Sequence, residues 1–143
     1  MGVQLSGIIP KEELSLEELR GKKIAIDAFN NIFQFLSIIR SRDTGEPLRD
    51  SKGRVTSHIS GLFYRNINLL ESGIKPIFVF DGEPPKFKKG VVEGRKKIRA
   101  EAREKWKKAV KEGKKEDIMV YAQASSKLTE PMIEDSKDLL EKM

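Results

Sequence analysis

Hydrophobic positions along this chain fall into two short continuous runs and several longer periodic ones. Lys22-Lys23-Ile24-Ala25-Ile26-Asp27 is apolar between charged ends, and Pro76-Ile77-Phe78-Val79-Phe80-Asp81 is an uninterrupted apolar stretch. Both suit strands, and continuous hydrophobicity is the pattern of a parallel sheet covered on both faces. Ala28 to Arg40 is apolar nearly all round (Phe29, Ile32, Phe33, Phe35, Leu36, Ile38, Ile39), which predicts a buried helix. Arg42 to Gly53, with two glycines, a proline and two aspartates, reads as a loop. Thr56 or Ser57 can cap a second helix that runs to Glu71 and stops at Gly73.

Gly82-Glu83-Pro84-Pro85 breaks the pattern. Beyond it, Val91 to Lys111 has helical spacing, with Ile98, Ala102, Trp106 and Ala109 on one stripe. Arg95, Arg99 and Arg103 form a second stripe. Gly94 is costly inside such a helix, by roughly 1 kcal/mol relative to Ala, and suggests an arch that orders only with its ligand. A further helix is predicted over Lys115 to Leu128. A last one begins at Thr129 and carries the seam Met132, Ile133, Leu139 and Leu140. The expected organisation is an α/β core half over residues 1–85, a basic helical arch over 86–128 and a returning helix over 129–143.

Composition narrows the chemistry. The 143 residues lack cysteine and contain one histidine, His58, expected to bond locally at a helix start. That excludes disulfide frameworks and thiolate zinc sites, and it disfavours a Ser-His-Asp triad. No apolar run approaches the ~20 residues of a membrane span, so a soluble cytoplasmic protein without membrane contact is expected. The net charge of +6 is uneven: Lys86 to Asp117 holds fourteen basic and six acidic residues, a net +8, leaving −2 elsewhere. A charge run is ordinarily a solvated helix laced with i,i+4 ion pairs, but this bias in sign favours a phosphate-rich partner.

The two apolar strands both end in aspartate, and the residues between them hold two helices, the crossover that parallel strands require. Parallel pairing would bring Asp27 and Asp81 out at the carboxyl edge of one sheet, where open α/β folds bind ligands. Two close carboxylates repel or recruit a cation, and hard oxygen donors favour Mg²⁺ or Mn²⁺. Either residue could instead only cap the structure that follows. Divalent metal beside a basic arm is the chemistry of phosphodiester hydrolysis. A phosphohydrolase with an aspartate nucleophile would need a second Asp two residues on, where this chain has Phe29 and Glu83. A non-catalytic nucleic-acid-binding module is the alternative.

The ordered set of motifs resembles the N-terminal part of archaeal flap endonucleases, structure-specific 5′ nucleases with a PIN-like α/β fold. It comprises Met1-Gly2-Val3, Lys23 to Ala28, Gln34-Phe35-Leu36, Thr56-Ser57-His58, Gly61 to Arg65, Gly73 to Pro76 and Val79 to Pro85. The resemblance implies that Asp27 and Asp81 are the first two carboxylates of a two-Mg²⁺ site, with Mn²⁺ possible. It makes Lys88 and Arg95 the basic pair at the scissile phosphate, with Arg99 and Arg103 further along the arch. Gly2 would lie near the active site, Phe33 would stack on a substrate base, and Arg40, Thr56 and Arg65 would line a pocket for a one-nucleotide 3′ flap. The implied partners are flapped DNA in replication and repair, and a sliding clamp bound through a C-terminal tail absent from this sequence. The family's pattern continues past the equivalent of Met143 with further carboxylates, so these 143 residues alone are expected to bind metal weakly and cleave poorly or not at all.

Overall fold

The computed structural model describes residues 12–82 and 89–143, together with Gly7 and Pro10. A 3₁₀ turn at Glu17–Leu19 leads into β1 (Lys23–Asp27), α1 (Ala28–Ile38), α2 (Ser57–Glu71) and β2 (Lys75–Val79). The basic segment forms α3 (Lys89–Glu112) and α4 (Lys115–Ala124), and α5 (Glu130–Lys142) closes the chain. β1 and β2 pair in parallel, from Lys23 opposite Lys75 to Asp27 opposite Val79. Gly21 N–H donates to the Gly73 carbonyl at 2.8 Å and Lys75 N–H to the Lys22 carbonyl at 2.9 Å, which fixes the register at the entry side.

The sheet is covered on one face. Ile24, Ile26, Pro76 and Phe78 are half-buried, whereas the alternate positions are exposed, Ile77 at 48% and Val79 at 46%. The expectation of two covered faces is therefore corrected. The same holds for α1, where Ala28, Ile32 and Leu36 form the core stripe and Ile38 is exposed. Val55, Phe78, Phe80, Leu128 and Met132 pack around that stripe. The seam of α5 lies half-buried, and α5 packs against α2. Helix α3 runs unbroken through Gly94, and Ala102 and Ala109 bury its stripe toward α4 while Ile98 stays exposed at 62%. Helix α4 ends at Ala124, four residues short of the expected end.

One node ties the α3–α4 pair to the body. Trp106 Nε1–H donates to the Thr44 carbonyl at 2.9 Å. Gly45 has φ +69°, and a Cβ there would lie 2.7 Å from Cβ of Ala122 and 3.0 Å from Nε1 of Trp106, so only glycine lets the loop pass between the two helices. Arg40 completes the node. Its Nε, Nη1 and Nη2 donate to the Leu36 carbonyl, the Gly45 carbonyl and the Ser126 hydroxyl at 2.8, 2.7 and 2.8 Å. The guanidinium also lies 5.8 Å from the Trp106 ring.

At the start of α2, Thr56 occupies the cap position without a side-chain cap bond. Ser57 instead donates to the Ile39 carbonyl at 2.6 Å and accepts from Leu48 N–H at 2.8 Å, binding α1, loop and α2 together. His58 is fully buried, and neither ring nitrogen has a partner among the described residues, so the expected local bond is absent. Burial lowers its pKa from 6.5, opposed in part by the charge of Asp135. A folded state that keeps His58 neutral is most stable above the unfolded pKa and loses stability as pH falls below it. Thermal melts should therefore show a Tm that is level above pH 7 and drops from about pH 6.5 toward 5.5, and His58→Phe should flatten that drop. An equal slope in both proteins would refute the assignment. A Cβ on Gly61 would run into the Phe35 ring. Gly61→Ala should cost about 1–3 kcal/mol in denaturant melts, as overpacking does.

Candidate nucleic-acid interface and carboxylate edge

Asp27 ends β1 and starts α1 in one step. One carboxylate oxygen, Oδ1, accepts Asn30 N–H at 2.9 Å as the helix cap, so the capping role and an available Oδ2 coexist on one side chain. Asp81 follows β2 by two residues, is exposed, and has the same side-chain parity as Val79, the register partner of Asp27. If the backbone stays extended from Val79 to Asp81, a strand rise of about 3.3 Å and a strand spacing of about 4.8 Å correspond to Cα atoms roughly 8 Å apart. The rings of Phe29 and Phe80 meet edge to face with centroids 5.8 Å apart, closing the two strand ends against each other beside the carboxylates. The parallel pairing thus brings the ends of both strands to one edge, where both acids are exposed.

Two exposed carboxylates suit a hard divalent ion that keeps several waters and takes further oxygens from a substrate phosphate. No group of three or more metal-ligating side chains occurs among the described residues. The donor set therefore fits the shell of one such ion in part, and a second ion requires carboxylates beyond these. Asn31, one turn on from Asp27, has a buried Oδ1 with no partner among the described residues.

The basic helices divide into two halves. Ion pairs occupy the far half: Lys107 with Glu104 at 2.8 Å, Lys108 with Glu112 at 3.8 Å and Lys114 with Glu112 at 2.7 Å. Lys107 and Lys114 hold Glu104 and Glu112 below the usual carboxylate range. Arg95, Lys96, Lys97, Arg99 and Arg103 take part in none of the ion pairs among the described residues. The laced-helix expectation holds for the distal half, and the half nearer Asp81 in sequence keeps its cations unneutralised. Arg95 and Arg103 are exposed, while Arg99 lies with its guanidinium 5.1 Å from the half-buried ring of Phe33.

The remaining sequence-predicted residues scatter. Gly2 and Lys88 lie outside the described residues. Arg65 is exposed on α2, nine residues beyond Thr56, which at 1.5 Å per residue is about 13 Å along the helix. Arg40 lines a cavity of about 240 Å³ that neither Thr56 nor Arg65 reaches, so the three expected pocket residues are not brought together there. Its cationic neighbours in that cavity are Arg49, Arg103 and Lys127. Burial lowers the Arg40 pKa, with Glu46 opposing, and three of its N–H groups are spent inside the node described above. Arg49 and Lys127 were not legible as a pair, because they are 78 positions apart and only the return of the chain after α4 joins them.

Comparison with known proteins assigns this arrangement. The XPG N-terminal domain family matches residues 1–102. Over all 143 residues the chain is 59% identical to flap endonuclease 1 of Pyrococcus furiosus and 52% identical to that of Archaeoglobus fulgidus, in each case spanning 42% of the relative. Among solved structures, the flap endonuclease-1 of Methanococcus jannaschii aligns with a TM-score of 0.62 at 48% identity, covering 98% of this chain and 44% of that one. The catalytic core of Rad2 in complex with DNA substrate aligns at 0.55 and 33% identity, covering 89% and 31%. The chain spans less than half the length of the curated relatives it matches, across which its fold is that of the α/β nuclease core. It belongs to the XPG N-terminal domain family.

Proposed function

We propose that the chain supplies the first part of a structure-specific 5′ nuclease that hydrolyses phosphodiesters near single-strand/double-strand junctions of flapped DNA. The observation that carries this reading is the parallel pairing that brings the carboxyl ends of β1 and β2, next to Asp27 and Asp81, to one sheet edge, followed in sequence by a segment, Lys86 to Asp117, of net +8. In this reading Asp27 and Asp81 hold Mg²⁺, or Mn²⁺, which when bound supplies charge stabilisation at the reacting phosphate. Two ions in the complete site require carboxylates from outside these residues. Arg95, with Lys88 before α3, binds the scissile phosphate and offsets its growing negative charge. Arg99 and Arg103 grip the backbone of the single strand, Gly2 sits near the reacting centre, and the Phe33 ring receives a base. Thr56 and Arg65 border the duplex side, while Arg40 acts there by fixing the 42–47 loop.

The relatives named flap endonuclease 1, and the Rad2 core solved with DNA, support a DNA substrate. A sliding clamp, engaged through a C-terminal tail beyond these residues, completes the proposed setting in replication and repair. No helix among the described residues is long and apolar enough to cross a membrane, and a cytoplasmic location follows from the DNA substrate in this reading.

The test joins this chain to the missing length of a relative, replacing the matching 143 residues of the Pyrococcus furiosus protein. With Mg²⁺ that hybrid should cleave a 5′-flapped duplex, and EDTA should stop it. Asp27→Ala or Asp81→Ala should slow cleavage by about 10³-fold or more while leaving flap affinity within about threefold. Unchanged cleavage in Asp27→Ala would sink the metal assignment. Tight binding without cleavage in the unmutated hybrid would favour the binding-module alternative. The 143 residues alone should bind the flap in a salt-dependent way and cleave it poorly or not at all.

A further inference from the structure

Of the three arginines spaced along α3, the fold singles out one. Arg95 and Arg103 are exposed, Arg103 at the rim of the cavity beside Arg40, whereas Arg99 is half-buried and lies over the Phe33 ring at 5.1 Å. The helix itself is not buried at this level, because Lys96, Lys97, Ile98 and Ala100 are all exposed. The Arg99 side chain reaches back to Phe33 on α1. It forms no ion pair and no side-chain hydrogen bond among the described residues, so the aromatic face is its one recorded partner there. Phe33 is half-buried beneath it, three residues before the core residue Leu36, with its ring turned toward α3.

We propose that Arg99 is a positioning residue that covers the Phe33 face in the DNA-free protein and exchanges it for one nucleotide. The base takes the ring, and the phosphate takes the guanidinium. The inference rests on the nuclease reading above, in which Phe33 is the stacking platform. A cation–π contact at a partly exposed site is weak, and a stacked base matches or exceeds it on the same ring. The displaced guanidinium gains a charge-assisted, fork-shaped contact with phosphate that no carboxylate of the described protein offers it. A nucleotide with an intact base therefore supplies both replacement partners together. A base-free sugar-phosphate supplies only one and leaves Arg99 in place. Arg99 makes occupation of Phe33 conditional on a base, which raises selectivity for an intact nucleotide next to the carboxylate edge and holds the near half of α3 against α1 until one arrives.

The 143-residue chain tests this by NMR of its arginine side chains, with Arg99 assigned through Arg99→Lys. In free protein the Arg99 δ-methylene protons should be shifted upfield by the Phe33 ring, and Phe33→Leu should abolish that shift. A 5′-flapped duplex, added without divalent metal, should remove the shift, and the same duplex with abasic sites through the flap junction should bind and leave it. In titrations by fluorescence anisotropy, Arg99→Gln should lower the ratio of intact to abasic affinity, about 3- to 10-fold, because the phosphate contact that forms only once a base displaces the guanidinium is lost with the intact flap alone. The same variant should lower the salt slope by about one phosphate contact. A shift absent from the free protein, a shift that persists with the intact flap, or an unchanged affinity ratio would overturn the exchange and leave the nuclease reading standing. Failure of the chain to bind either duplex would overturn the nucleic-acid reading itself, and the exchange with it.

Discussion

The parallel pairing of β1 with β2 is the constraint on which the rest of the molecule depends. Two strands that run the same way need a crossover, and here α1, the 40–56 loop and α2 make it. The pairing sends both strand ends to one edge, so the residue that ends each apolar run comes out beside its counterpart. Had the strands been antiparallel, Asp27 and Asp81 would stand at opposite ends of the sheet and no shared cation site could form. The Phe29–Phe80 contact is the packing that closes those ends together, and α5 backs it by placing Lys137 5.3 Å from the Phe80 ring.

A second constraint couples the charged helices to this core. α3 is too polar to hold its place by burial along its length, so its attachment is concentrated at one level. Trp106 bonds the Thr44 carbonyl, Gly45 threads between α3 and α4, and Arg40 bonds both the loop and Ser126. Beyond that level toward its N-terminus, the link to α1 is the Arg99–Phe33 contact. The result is a helix fixed at its far half and lightly held at its near half, where its cations form no ion pair among the described residues.

The uncovered sheet face has a plain physical reading. Ile77 and Val79 are nearly half exposed because no described element packs over them, although the strand's composition is that of a strand covered on both sides. The chain spans 42% of the length of the two relatives named above.

Much was readable from the order of residues alone. The strand runs, the crossover, the helical spacing of the basic segment and the aspartates closing both apolar runs are local or periodic signals, and each described strand and helix formed within a few residues of its expected bounds, while the break at Gly82-Glu83-Pro84-Pro85 lies largely outside the described residues. Tertiary structure decided what local pattern could not carry. Which faces are covered depends on what packs opposite, which misled the reading of α1 and β2. Arg40 is an internal tie that no local pattern announces, because its partners Gly45, Ser126 and Trp106 converge only when α4 returns to the body. The lone His58 looked locally bonded and is buried without a partner among the described residues. The arginine stripe was plain in the sequence, but only the approach of α3 to α1 set Arg99 apart, since a cation–π contact depends on distance and angle between side chains 66 residues apart.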